Sequence, residues 1–82
     1  MPDELERLYD AHAGVLYGFL FNFTRNESEA RDLLQEVFVK IARDPRLVAG
    51  AKDERGFLIR LTHNLAVDSF RRRDARVVAR RK

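Results

Sequence analysis

The chain contains no cysteine, which excludes a disulfide framework and every thiolate metal site. Tryptophan is also missing, and four glycines and two prolines among 82 residues leave little material for strands and turns. The longest apolar run, Ala13 to Phe21, is far short of the roughly 18 residues that a membrane-spanning helix needs. The N-terminus opens on Asp3, Glu4 and Glu6 instead of a basic segment followed by an apolar one, so no signal peptide is evident and a soluble, cytoplasmic protein without membrane insertion is expected. At this length one domain fits.

Nucleophiles and metal ligands are sparse as well. His12 and His63 fall in different segments with no cysteine near them, and a zinc site would need two further ligands that the spacing does not supply. No glycine-rich phosphate loop is present. Carboxylate pairs such as Glu27 and Glu29 fall at helix starts, where capping accounts for them. No catalytic residue, cofactor or metal is therefore expected.

What the chain does have is charge, unevenly placed. Residues 1–54 carry seven Lys/Arg against eleven Asp/Glu, a net −4, whereas residues 55–82 carry nine against two, a net +7. A basic end on an otherwise acidic domain suits a polyanion. A basic tail that only aids solubility is the plainer alternative.

Apolar residues recur at spacings of three and four in three segments. The first runs from a cap at Asp3, with Leu5, Leu8, Tyr9, His12, Val15, Leu16, Phe19, Leu20 and Phe23 as its stripe. Gly14 and Gly18 inside it suggest a close helix–helix approach. The second starts at Asn26 with Glu29 three residues on, a capping arrangement. It buries Ala30, Leu33, Leu34, Val37, Phe38 and Ile41, and stops near Arg43 because Asp44 precedes Pro45. Residues 45–52 read as a loop with apolar anchors and room for a turn of helix. The third segment is capped by Asp53, with Phe57, Leu58, Leu61, Leu65 and Asp68 or Ser69 as its stripe, and weakens into a basic tail from Arg76 to Lys82. The expected fold is all-α, a compact three-helix bundle.

Two exposed faces follow from this arithmetic. The second helix turns Asp32, Gln35, Glu36, Val39 and Arg43 outward. Acidic residues around one apolar spot suit a basic partner helix, although on the residues alone a solvated face is the simpler reading. The third helix turns Arg60, His63, Asn64 and Val67 outward, with Arg71, Arg72 and Arg73 a turn beyond. Arginine near a helix end can clamp phosphates, and Asn can read a base edge, adenine in particular. Neither feature is specific alone.

Taken in order, the segments resemble region 2 of bacterial sigma factors of the extracytoplasmic-function (ECF) type. ARDLLQEVFVKIAR (Ala30 to Arg43) is similar to that family's acidic and Gln-Glu helix. GFLIRLTHNLAVDSFRRRDAR (Gly56 to Arg76) is similar to its second hallmark, and LYDAHAGVLYGFL (Leu8 to Leu20) to its first helix. The resemblance implies that Asp32, Gln35, Glu36 and Val39 contact the clamp helices of the largest subunit of core RNA polymerase. It implies that Arg60, His63, Asn64, Arg71 and Arg72, with Arg73 and Arg76 in the same cluster, face the non-template strand of the promoter minus-ten element. Residues of the loop around Ala49 to Arg55 would help to capture a flipped base. An anti-sigma factor is a further implied partner.

Phe57 stands where the family usually has Trp, and His63 where Arg is more frequent, which changes the charge near DNA. The domain is expected to span residues 1–76, with 77–82 beginning a linker. The family's region 4 has no room in 82 residues, so the chain is expected to be a fragment that binds weakly alone. Two other readings stay open. One is a helical module bound by a regulatory protein without a DNA role. The other is a duplex-DNA binder, disfavoured because the break between the second and third helices exceeds a helix-turn-helix turn.

Overall fold

The computed structural model describes residues 4–80, with side chains described through Arg73. The expected cap at Asp3, the side chain of Arg76 and residues 81–82 lie outside that description. Four helices follow in order: α1 (Glu4–Thr24), α2 (Glu27–Arg43), α3 (Arg46–Ala49) and α4 (Glu54–Arg80). No strand occurs among the described residues. The three long helices make the all-α bundle that the periodicity predicts. α3 is the turn of helix for which the second loop had room.

Each junction has a local cause. Arg25 ends α1 in the left-handed region (φ 56°), its N–H donating to the Phe21 carbonyl at 2.7 Å, a C-terminal closure usually given to glycine. Asn26 caps α2 by accepting from the Glu29 N–H at 3.0 Å. α2 closes at Asp44, whose N–H is shared between the Lys40 and Ile41 carbonyls, and Pro45 prevents continuation. Asp53 caps α4 by accepting from the Gly56 N–H at 3.1 Å. A Cβ at position 56 would come within 2.9 Å of Asp53 Cγ, so glycine leaves the space that the cap fills.

The core is one cluster. Leu8, Leu16 and Leu20 of α1 meet all six inward residues of α2, with Val48 of α3 and Leu58 and Ala66 of α4. α1 and α2 form an antiparallel hairpin, and α4 runs alongside α1 in the same direction, His12 meeting Glu54 and Phe23 meeting Phe70.

Three expectations are corrected. The α1 stripe is narrower than its apolar spacing, because Tyr9, Val15 and Phe23 remain exposed. Gly14 and Gly18 mark no helix approach: both are exposed, and a Cβ on either would meet nothing within 4 Å. The buried stripe of α4 runs through Leu58, Thr62 and Ala66, while Asp68 is exposed and Leu61, Leu65 and Ser69 are half-buried. Large residues flank that stripe, and the small ones at its centre let the helices close together. The helical backbone of α4 runs to Arg80.

Candidate functional site

The outward face of α2 carries Asp32, Gln35, Glu36 and Val39, all exposed, Val39 by 48%. None of the three polar members is engaged in an ion pair or hydrogen bond among the described residues. The face continues into an open groove against α3 and α4, where Leu47 and Leu65 join Val39 as apolar surface and Arg43 and Arg72 bring positive charge. The groove is therefore an acidic face with an apolar stripe and a basic far wall.

On α4, Arg60, Asn64 and Arg71 are exposed and share one helical face through spacings of four and seven. They too are unengaged among the described residues. His63 lies on a flank of that face, with its ring 6.0 Å from Phe19 and 6.4 Å from Phe23 of α1. The three arginines of the run have different surroundings. Arg71 is exposed without a partner among the described residues, Arg72 lines the α2 groove, and Arg73, also exposed, pairs with Glu29 of α2 at 2.5 Å.

The segment from Ala49 to Arg55 is held at its end by Glu54. The Arg7 guanidinium donates to Glu54 Oε1 at 2.7 Å, and His12 Nε2 meets Oε2 at 2.6 Å. These two contacts, Arg7 foremost, hold the Glu54 carboxyl down at about 2. Arg7 also pairs with Glu4 at 2.6 Å, which lowers that carboxyl as well. Periodicity carries no signal for this network, since its partners lie 42 and 47 residues apart. The second feature missed from sequence is Phe70. It is 59% exposed and meets Phe23 at the mouth of a cleft of about 280 Å³ lined also by Glu29, Asp32, Glu36 and Arg73.

Among the described residues no helix is long and apolar enough to cross a membrane, and no group of acids and histidines could hold a metal ion.

The structure is an all-helical bundle that exposes an acidic face on α2 and a basic, asparagine-bearing face on α4. Residues 8–76 match the family described as Sigma-70 region 2. The chain belongs to that family. It is 31% identical over 72 residues to the ECF RNA polymerase sigma factor SigX of Bacillus subtilis, covering 88% of this chain and 37% of the relative. It is 30% identical over 73 residues to the ECF RNA polymerase sigma factor SigL of Mycobacterium tuberculosis, covering 88% and 40%. With the ECF RNA polymerase sigma factor SigE of Mycolicibacterium smegmatis the identity is 37% over 71 residues, covering 87% and 26%. The chain thus spans about two fifths or less of the length of these relatives. No solved structure matches it significantly.

Proposed function

We propose that this domain acts in transcription initiation, docking on core RNA polymerase through α2 and holding the non-template strand of the promoter minus-ten element on α4. The observation that carries the reading is the presence of two unengaged polar faces of opposite character on one rigid bundle. Asp32, Gln35 and Glu36 surround Val39 on α2, and Arg60, Asn64 and Arg71 share the outward face of α4. Membership of the Sigma-70 region 2 family supports the choice of core RNA polymerase and promoter DNA as partners.

The division of labour follows from electrostatics. A basic helix of the polymerase meets the α2 face, where the acids steer it and Val39 gives apolar contact. Docking places α4 against DNA with the acidic helix turned away from phosphate. Arg60 and Arg71 neutralise backbone charge, and Asn64 offers a donor and an acceptor to one base edge. The Ala49–Arg55 segment, fixed through Glu54, receives a flipped base; flipping costs a few kcal/mol, which pocket contacts and backbone charge offset. The domain breaks no bond. It holds an opened strand.

The test is binding to core RNA polymerase of the wild-type chain beside a D32A/Q35A variant. A drop of about tenfold or more in the variant supports the docking face, each lost contact at a well-packed interface centre costing more than ~1 kcal/mol. Equal binding by both proteins would remove α2 from the interface.

A further inference from the structure

The cleft at the Phe23–Phe70 pair is walled by three helices. Phe23 comes from the end of α1, Phe70 from α4, and Glu29, Asp32 and Glu36 from one side of α2, with the buried Leu33 and Ala66 as its floor. The two rings meet edge to face, their centroids 6.4 Å apart at 83°. Both stay uncovered, Phe23 by 39% and Phe70 by 59%. Carboxylates and open rings therefore face the same space of about 280 Å³.

Charge selects the occupant. Glu29, Asp32 and Glu36 follow at spacings of three and four, so three like charges share one side of α2, which disfavours the helix unless a cation lies among them. Arg73 supplies one cation, pairing with Glu29 at 2.5 Å. Asp32 and Glu36 have no partner among the described residues. Lys40, one turn beyond Glu36, and Arg72 of α4 line the neighbouring groove and pair with neither carboxylate. Arg71 lies about 100° from Arg72 round the helix. Two uncompensated carboxylates thus stand beside two open rings. A phosphate backbone is repelled by such a site, and an apolar segment would strip water from the carboxylates without replacing it. No group among the described residues could hold a metal ion. A guanidinium suits both walls. It is planar and weakly hydrated, donates in a fork to carboxylates, and lies against aromatic faces. Its methylene stem covers an apolar floor. The Arg73–Glu29 pair is the same contact already made once within the cleft.

We propose that this cleft seats an arginine side chain of a separate protein, anchoring that protein where α1, α2 and α4 meet. Arginine is among the residues that most often carry the binding energy of protein interfaces. Phe23, Glu29 and Phe70 belong to neither of the faces assigned above, so the seat stands whether or not α2 docks on the polymerase and α4 on DNA.

The test follows the ring signals of Phe23 and Phe70 by NMR in the 82-residue chain carrying isotope-labelled phenylalanine, assigned through F23L and F70L. Two capped peptides are titrated at millimolar concentration. One is Ala-Arg-Ala; the other has citrulline at its centre, which keeps the planar shape and loses the charge. The arginine peptide is expected to shift both rings and to bind roughly threefold or more tightly than the citrulline peptide, about what one exposed cation–π contact supplies. D32N/E36Q brings arginine down to the citrulline level. F70L, read at Phe23, weakens arginine by roughly twofold or more and leaves citrulline unchanged. Asp32, Glu36 and Phe70 are all exposed, so these variants keep the fold. Equal binding of the two peptides, or a preference for arginine that survives both variants, overturns the seat. Ring shifts from oligothymidylate larger than those from the arginine peptide make the occupant a nucleic acid and overturn it too. Ring shifts that change with protein concentration alone make the occupant a second copy of this chain, and the assignment to a separate protein falls.

Discussion

His12 of α1 and Glu54 in the first turn of α4 are joined through Nε2 and Oε2 at 2.6 Å, with the imidazole buried and the carboxylate partly open to solvent. Glu54 is held ionised and can only accept, so Nε2 carries the proton of this bond. The other ring nitrogen, Nδ1, is buried without a partner among the described residues. The contact, with Arg7 on the second carboxylate oxygen, ties the helix that begins the chain to the start of the helix proposed to meet DNA.

A pH dependence follows. Folding lowers the Glu54 carboxyl from an ordinary 4.5 to about 2. The associated stability is present above pH 4.5 and is lost as the pH falls from there towards 2. Urea denaturation of the wild type across that range is expected to show the loss. E54Q is expected to be less stable than the wild type near neutral pH and to show a flatter profile below 4.5. Identical profiles would mean that the network contributes nothing.

The glycines separate into two groups. Gly14→Ala and Gly18→Ala are each expected to stabilise the chain by about 0.5–1 kcal/mol, because both sit in an exposed helix interior with open space around them. Gly56→Ala is expected to destabilise it, because the new methyl group displaces the Asp53 cap. Thermal melts of the three variants check the opposite signs.

Removing the cap of α2 with Asn26→Ala is expected to cost about 1 kcal/mol, since the side chain holds the Glu29 N–H. Leu58→Ala, in a position with no exposure, is expected to cost about 2–5 kcal/mol. In a domain of this size the second loss is a large share of the total. Chemical denaturation monitored by far-ultraviolet circular dichroism orders the two.

Neighbouring arginines are expected to behave differently. Arg71→Ala should weaken single-strand DNA binding and lower the magnitude of its salt slope by about 0.7, one phosphate contact's share. Arg73→Ala should leave that slope unchanged and cost under about 1 kcal/mol of stability, as expected for a partly exposed pair with Glu29. Affinities at several salt concentrations separate them; equal slopes for the two variants would contradict the division of the run.

α2 was the most legible element. A cap, a 3.6-residue apolar period and a proline-terminated end all agree there, and all six expected core residues are buried. Its outward face followed from the same arithmetic. α4 was read less well, because its buried centre consists of Thr62 and Ala66, which a search for large apolar side chains passes over. Of the expected outward set, Arg60, His63 and Asn64 are exposed and Val67 is half-buried; the different surroundings of Arg71, Arg72 and Arg73 are concealed by their adjacency in sequence, since consecutive helical residues point about 100° apart. The Arg7–His12–Glu54 network and the uncovered Phe23–Phe70 pair arise only when α1 lies beside α4, and short-range patterns carry no trace of that.

The unbroken run of α4 from Glu54 to Arg80 makes it a gauge. Its capped start and Arg71 are separated by about 26 Å of helical rise, a distance set by residue count and not by any loop. Inserting one residue between Val67 and Arg71 would lengthen the gauge by only about 1.5 Å, yet it would swing the arginine about 100° off the face shared with Arg60 and Asn64. The phase of the helix, more than its length, fixes which charges share its outward face.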